Sequence, residues 1–138
     1  MKLIALILYL SLSSFQNTTN LEDIYKTIKE VESNNVSTAI GDNGKAFGVV
    51  QIHKACVIDV NRYYGTDYKH TDSFDRTKAK DIFMKYINIG INRFKKKYCR
   101  SPTEQDIVRM WNGGIYQGYR KKSTKKYWAR YLKFKYLT

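Results

Sequence analysis

Apolar side chains recur at helical spacing along most of this chain. The first stripe is formed by Leu21, Ile24, Ile28 and Val31. Asn20 precedes this stripe and is predicted to cap the helix, because its side-chain oxygen can accept a hydrogen bond from a free N–H of the first turn. Asn34 and Asn35 are predicted to end it. Glu32 follows Ile28 by about one turn, so we expect it at the edge of the buried face, where lost hydration raises the pKa of a carboxylic acid.

The pattern changes between residues 37 and 51 from helical spacing to turns and short strands. Gly41-Asp42-Asn43-Gly44 is a tight-turn sequence. Phe47, Val49 and Val50 suit short strands. We therefore expect a small hairpin or irregular lobe directly after the first helix.

Helical spacing returns for most of the remaining chain. A helix is predicted over Gln51 to Tyr64, with Gly65 as its stop signal. A polar loop follows, and Asp75 is predicted to cap a long helix. Further apolar positions at helical spacing are Ile52, Cys56, Val60 and Tyr63, then Ala79, Ile82, Phe83, Tyr86, Ile89 and Phe94, then Ile107, Val108 and Trp111.

The next helix is predicted to begin at Ser101-Pro102-Thr103-Glu104, with Ser101 as the cap, and to break at Asn112-Gly113-Gly114. A last helix is predicted to begin at Ser123 or Thr124 and to present Tyr127, Tyr131 and Phe134. The fold class is therefore mainly α, an α+β domain with one small β-hairpin lobe.

Composition favours one domain. A chain of 138 residues with 43% hydrophobic content can bury one good core, which we assign to residues 17–138. Residues 1–16 have the features of a secretory signal peptide: Lys2, an apolar stretch from Leu3 to Leu12, and small serines after it. A buried N-terminal strand or helix is the alternative. The apolar run is too short to span a bilayer, so no permanent membrane span is expected.

Two cysteines follow the predicted signal peptide. In an exported protein Cys56 and Cys99 could form a disulfide, and two buried free thiols are the alternative. His53 and His70 have no metal-ligand pattern around them. We expect neither a metal nor a cofactor.

The formal charge of +13 predicts attraction to polyanions, namely nucleic acid, anionic membrane or an acidic cell-wall polymer. Lysines and arginines are interleaved with aromatic residues toward the C-terminus, a pattern that in isolation suggests nucleic-acid binding. The export signal and the lack of a nucleic-acid motif favour a wall polymer instead. A solvated surface without a specific partner is the alternative.

Three short motifs occur in a fixed order along the chain. They are Glu32-Ser33, then Gly48-Val49-Val50-Gln51-Ile52, then Met110-Trp111-Asn112-Gly113-Gly114. Their order resembles the soluble lytic transglycosylases of the lysozyme superfamily. The C-terminal half resembles the invertebrate-type, destabilase-like lysozymes in Asn112-Gly113-Gly114, Gly118 and Ser123-Thr124-Lys125-Lys126-Tyr127-Trp128.

The resemblance implies a lysozyme-like fold with a cleft between the helical part and the β lobe. It also implies a catalytic glutamate at the end of the first helix, which falls on Glu32, and an aspartate in the β region, which falls on Asp42. The chain departs from the invertebrate-type enzymes in having only two cysteines and a shorter Glu-to-Asp spacing.

The implied activity is that of an exported, bacteriolytic muramidase that acts on peptidoglycan, with Glu32 as general acid. Asp42 is either the second carboxylate of the reaction or only a turn residue. If it is a turn residue, the alternative activity is that of a lytic transglycosylase, in which Glu32 acts alone. Candidate substrate-binding residues are Ser33, Gln51, Trp111, Asn112 and Tyr127. The structural alternatives are that Ser33 closes the first helix by local bonding, that Gln51 caps a helix, and that Trp111 and Tyr127 belong to the core. A non-enzymatic cationic antibacterial protein that binds the wall or the membrane is the remaining alternative. We expect a monomer.

Overall fold

The computed structural model describes residues 20–137, so the predicted signal peptide at residues 1–16 lies outside the described residues. The described chain is mainly helical with a small antiparallel sheet, as the sequence predicts. Its elements in order are α1 (Leu21–Ser33), β1 (Ile40–Gly41), β2 (Ala46–Phe47), β3 (Ile52–His53), α2 (Lys54–Tyr64), α3 (Arg76–Tyr98), α4 (Glu104–Gly113) and α5 (Lys125–Leu137). Short 3₁₀ turns occupy Asp42–Gly44, His70–Phe74, Gly118–Arg120 and Lys122–Thr124.

Several helix ends are set by local chemistry, as predicted. The side chain of Asn20 accepts a hydrogen bond from the backbone N–H of Glu22, and Asn34 ends α1 in the left-handed conformation. Gly65 ends α2 in the same conformation. Asp75 caps α3 by accepting from the N–H of Lys78.

Three helix predictions need correction. Residues 51–53 are not helical, because Ile52–His53 form β3 and α2 begins at Lys54. Tyr63 is 57% exposed rather than part of the buried stripe. Thr103, not Ser101, caps α4, because its hydroxyl accepts from the N–H of Asp106 and the Asp106 carboxylate accepts in return from the N–H of Thr103.

The β lobe has three short strands in the order β1-β2-β3 rather than a single hairpin. Ile40 pairs with Phe47 in the first ladder, and Phe47 pairs with Ile52 in the second. Val49 and Val50 are buried in the turn between β2 and β3, not in a strand. Gly48 makes this turn possible, because its φ is +77° and a Cβ there would lie 1.9 Å from the carbonyl oxygen of Ser73.

One hydrophobic core joins all five helices and the end of the β lobe. The long helix α3 contributes the most buried side chains and contacts α1, α2 and α4, while α5 packs on α1 and α4. The largest fully buried side chains include Tyr131, Phe83, Ile24, Ile28, Ile82 and Ile87. The last helix therefore lies against the first, which brings residues from opposite ends of the described chain together.

Both thiols are free in the described structure. Cys56 is buried and Cys99 is exposed, so the two neither pair nor share an environment. Among the helices within residues 20–137, none is both long enough and apolar enough to cross a membrane.

Candidate active site

An open cleft of about 510 Å³ lies between the β lobe and the helical part. Its wall is built from the end of α1, the β lobe, the start of α2, the middle of α3 and the end of α4. The lining residues are Glu32, Asp42, Ala46, Gln51, His53, Ala55, Cys56, Tyr86, Trp111, Asn112 and Gly114. The cleft thus brings together five of the seven residues that the sequence singles out, and a sixth, Tyr127, contacts Glu32 through a hydrogen bond.

Glu32 is a half-buried carboxyl group in the last turn of α1. The hydroxyl of Tyr127 donates a hydrogen bond of 2.6 Å to its Oε1 atom. The indole N–H of Trp111 also interacts with this carboxyl group, and the guanidinium of Arg130 lies close enough to interact with its charge. Glu32 is therefore held by the Tyr127 hydroxyl while it still faces the cleft.

Burial and these contacts act in opposite directions on Glu32. Burial raises its pKa because the charged form loses hydration, whereas the hydrogen bonds from Tyr127 and Trp111 and the charge of Arg130 lower it. The loss of hydration is the largest contribution, and the pKa of Glu32 is raised overall. A carboxyl group in this environment keeps its proton to higher pH than an exposed glutamic acid, yet its ionised form also has partners.

The two groups that reach Glu32 from the last helix are one turn apart. Tyr127 and Arg130 lie on α5 at a spacing that places both on the same face. Another tyrosine of α5, Tyr131, anchors the helix by donating a 2.6 Å hydrogen bond to Glu104 at the start of α4. Burial and the neighbouring charge of Glu32 raise the pKa of Tyr127 well above its usual value, so it is a permanent donor.

Asp42 has a different environment from Glu32, although both line the cleft. Its side chain is 57% exposed, and its Oδ2 atom lies 3.5 Å from Nε2 of His53. Its backbone is left-handed, with φ of +47° in the tight turn that the sequence predicts. The cleft therefore holds one sheltered carboxyl group and one hydrated carboxyl group.

Trp111 and Asn112 lie at the end of α4 and differ in exposure. The Trp111 ring packs on Phe83, with centroids 4.7 Å apart, and meets the Tyr86 ring edge-on at 6.0 Å. This packing restricts the position of the Trp111 ring beside the cleft. Asn112 is exposed, so its amide is free to meet a ligand in the cleft.

Ser33 and Gln51 support the cleft from the β side. The Ser33 hydroxyl lies 2.8 Å from the carbonyl oxygen of Val49 and donates to it, and Ser33 is not among the residues that line the cleft. Gln51 lines the cleft, but its amide N–H groups donate to the carbonyl oxygens of Gly48 and Ala39. Both side chains tie the β lobe together and to α1, and Gln51 alone keeps a surface toward the cleft.

Three residues of the site, Tyr86, His53 and Arg130, are not predicted from the sequence to belong to it. Tyr86 is predicted only as part of a buried stripe, yet it is half-buried and lines the cleft. The sequence assigns no role to His53, which has no metal-ligand pattern around it, and the structure places its ring beside Asp42. The helical spacing from Tyr127 could have indicated Arg130, since residues three apart share a helix face.

Within residues 20–137, no three side chains of the histidine, cysteine, aspartate and glutamate types converge so that they could hold a metal ion. Neither a protein-family model nor a curated protein sequence matches this chain.

Proposed function

We propose that this protein is an exported muramidase that cleaves the β-1,4 bond between N-acetylmuramic acid and N-acetylglucosamine in peptidoglycan, with Glu32 as general acid. One observation carries the proposal: a sheltered carboxyl group with a raised pKa faces an open cleft and is held there by Tyr127. Such a group keeps its proton to higher pH than an exposed glutamic acid and can deliver it to a substrate in the cleft.

The chemistry follows from the two states of Glu32. The protonated carboxyl group donates its proton to the glycosidic oxygen while the bond from that oxygen to C1 breaks, which leaves an oxocarbenium-like centre on the muramic ring. The carboxylate that results is stabilised at once by the donors Tyr127 and Trp111 and by the charge of Arg130. Glu32 can then accept a proton from the nucleophile that attacks C1, so it acts first as acid and then as base.

The cleft wall offers contacts of the kind a glycan requires. Trp111 presents part of an aromatic ring, on which a sugar face can stack, and Asn112 presents an amide that can bond an acetamido group. Gln51 supplies an amide on the opposite, β-lobe side. An open cleft suits a long polymer better than a small molecule that must be enclosed.

Asp42 decides between two outcomes for the same bond. If it acts as the second carboxylate, it stabilises the cationic centre or activates a water molecule, and the products are hydrolysed ends. Its exposure and its contact with His53 favour a second candidate, a lytic transglycosylase. In that route the C6 hydroxyl of the muramic sugar attacks C1, Glu32 takes its proton, and an anhydro ring forms.

The substitution Glu32→Gln tests the proposal, because glutamine preserves the size of the side chain and its acceptor oxygen but has no acidic proton. We expect the loss of turbidity of purified walls to slow by about a thousandfold or more. Glu30→Gln is the matched control, since it lies in the same helix and does not line the cleft.

Mass analysis of the released fragments separates the two enzymatic routes. Reducing muramic ends indicate hydrolysis, and anhydro-muramic ends indicate transglycosylation. If Glu32→Gln lyses bacteria and clears walls as fast as the wild type, neither route is correct, and a non-enzymatic cationic protein on this scaffold becomes the better explanation.

A further inference from the structure

A second cavity, of about 570 Å³, lies beside the candidate active site on a face made by α2, α3 and the segment that follows α4. Four cationic side chains line it: Arg93, Lys96, Lys97 and Arg120. No aspartate or glutamate is among its lining residues. We call this cavity the basic groove.

The cations of the basic groove have no carboxylate partners in the described structure. Ion pairs elsewhere within residues 20–137 neutralise several lysines, for example Lys80 with Glu22 and Lys135 with Glu104. None of the ion pairs involves any of the four groove cations. Their charges are therefore available to an anionic ligand.

Aromatic rings give the basic groove flat surfaces between its charges. Tyr63 and Tyr116 are 57% and 50% exposed, although tyrosine has a large apolar ring. The guanidinium of Arg93 stacks 4.4 Å from the Tyr116 ring centroid, which holds both side chains in place. Tyr119 is held by a hydroxyl contact of 3.1 Å with Tyr98. The groove thus combines fixed rings with cations that no carboxylate neutralises.

The basic groove and the cleft share one loop. Asn112 and Gly114 line the cleft, and the next residues, Ile115 and Tyr116, line the groove. The two cavities are therefore separated by this loop, which brings a chain attached to a polymer in the cleft within reach of the groove. This proximity favours an anionic part of the cleft's own substrate over an unrelated polyanion such as nucleic acid.

We propose that the basic groove binds the phosphodiester-linked polymer chains attached to peptidoglycan and so retains the protein on its substrate. This inference rests on the proposed function insofar as the wall is the site of action. Phosphodiester groups match the free cations, and the sugar or polyol units between them match the exposed tyrosine rings.

The test measures sedimentation of the full chain with purified walls. All proteins carry Glu32→Gln, so the walls stay intact during the measurement. One wall preparation retains its phosphodiester polymers, and in the other they are removed with hydrofluoric acid. The groove variant combines Arg93→Gln, Lys96→Gln and Arg120→Gln.

The matched control removes the same charge from exposed positions outside both cavities, with Lys26→Gln, Lys126→Gln and Lys133→Gln. We expect the parent to bind intact walls about tenfold more tightly than stripped walls. The groove variant should lose this difference, and the control should keep it within about twofold. Thermal unfolding of each variant checks that the fold is preserved.

Two outcomes overturn the proposal. If the groove variant and the control bind intact walls equally well, net charge alone is responsible. Alternatively, the groove variant loses affinity for a short DNA duplex while its wall binding is unchanged, and the ligand is then nucleic acid. The muramidase activity of the wild type, with Glu32 intact, is measured separately on stripped walls, so failure of the proposed function is distinguishable from failure of the groove.

Discussion

Tyr127→Phe removes one hydroxyl group that donates a 2.6 Å hydrogen bond to the carboxyl group of Glu32. The ring itself is retained, so packing between α5 and α1 changes little. The bond favours the ionised form of Glu32, because a hydroxyl donor stabilises a carboxylate more than a protonated acid. Its removal must therefore raise the pKa of Glu32 further.

The magnitude follows from the partners that are left. A hydrogen bond to a charged group contributes about 1.5–3 kcal/mol. The donor Trp111 and the charge of Arg130 are still present in the variant and compensate in part. We take the lower end, and since one pH unit corresponds to about 1.4 kcal/mol, the effect amounts to about one pH unit.

The assay is the pH dependence of kcat/KM for wall clearance. A general acid must be protonated, so activity falls as pH rises through the pKa of Glu32. In Tyr127→Phe this fall is expected about one pH unit higher, with a lower maximal rate because the carboxylate formed in the reaction has lost a donor.

Tyr131→Phe is the control for this prediction. Its hydroxyl also donates a 2.6 Å bond to a carboxyl group, that of Glu104, but neither residue lines the cleft. It should lower stability by about 1 kcal/mol and leave the pH profile in place. A profile of Tyr127→Phe that is unchanged, or displaced to lower pH, would refute the reasoning.

Three further predictions concern stability and reactivity. The pKa of Glu32 is higher in the folded than in the unfolded chain, so the free energy of unfolding falls as pH rises from the unfolded pKa through the folded pKa. Glu32→Gln should abolish this loss in thermal scans between pH 4 and 8. The same dependence of melting temperature on pH in the wild type and the variant would contradict the prediction. Gly48→Ala should cost about 2 kcal/mol or more in urea unfolding, because it adds a backbone clash to a left-handed φ, whereas Gly44→Ala, equally left-handed but in open space, should cost less. A maleimide at pH 8 should label the exposed Cys99 and leave Cys56 unmodified, because Cys56 is buried and burial raises its pKa. Mass spectrometry counts the labels, and rapid labelling of both thiols would show that Cys56 is accessible.

Much of the fold follows from local chemistry that a sequence displays. Asn20 and Asp75 cap helices, and Gly65 ends one, because each satisfies or permits backbone geometry within a few residues. Thr103 shows where such local signals are ambiguous, since the side chains of both Ser101 and Thr103 can cap a helix. The reciprocal hydrogen bonds between Thr103 and Asp106 make Thr103 the cap of α4.

The candidate site is less visible in the sequence, because its contacts are made across the fold. Glu32 and Tyr127 are 95 residues apart, and no local pattern relates them. The sequence nonetheless singles out both, through a position on a helix edge and through a resemblance in the C-terminal half. Ser33 makes the local contacts at the end of α1 that are predicted as the alternative to a role in the site, and its hydroxyl also donates to the Val49 carbonyl group. The second contact depends on the turn after β2, which no local pattern shows.

The hydrogen bond between Tyr127 and Glu32 also orders events in folding. Contacts between distant residues form late, because closing a long loop costs chain entropy before the contact is made. The cleft wall from α1, the β lobe and α2 can assemble from neighbouring segments, but the donor and the charge that control Glu32 arrive only when α5 docks. In a refolding experiment, the proton affinity of Glu32 should therefore reach its native value in the last phase, after the helices have formed.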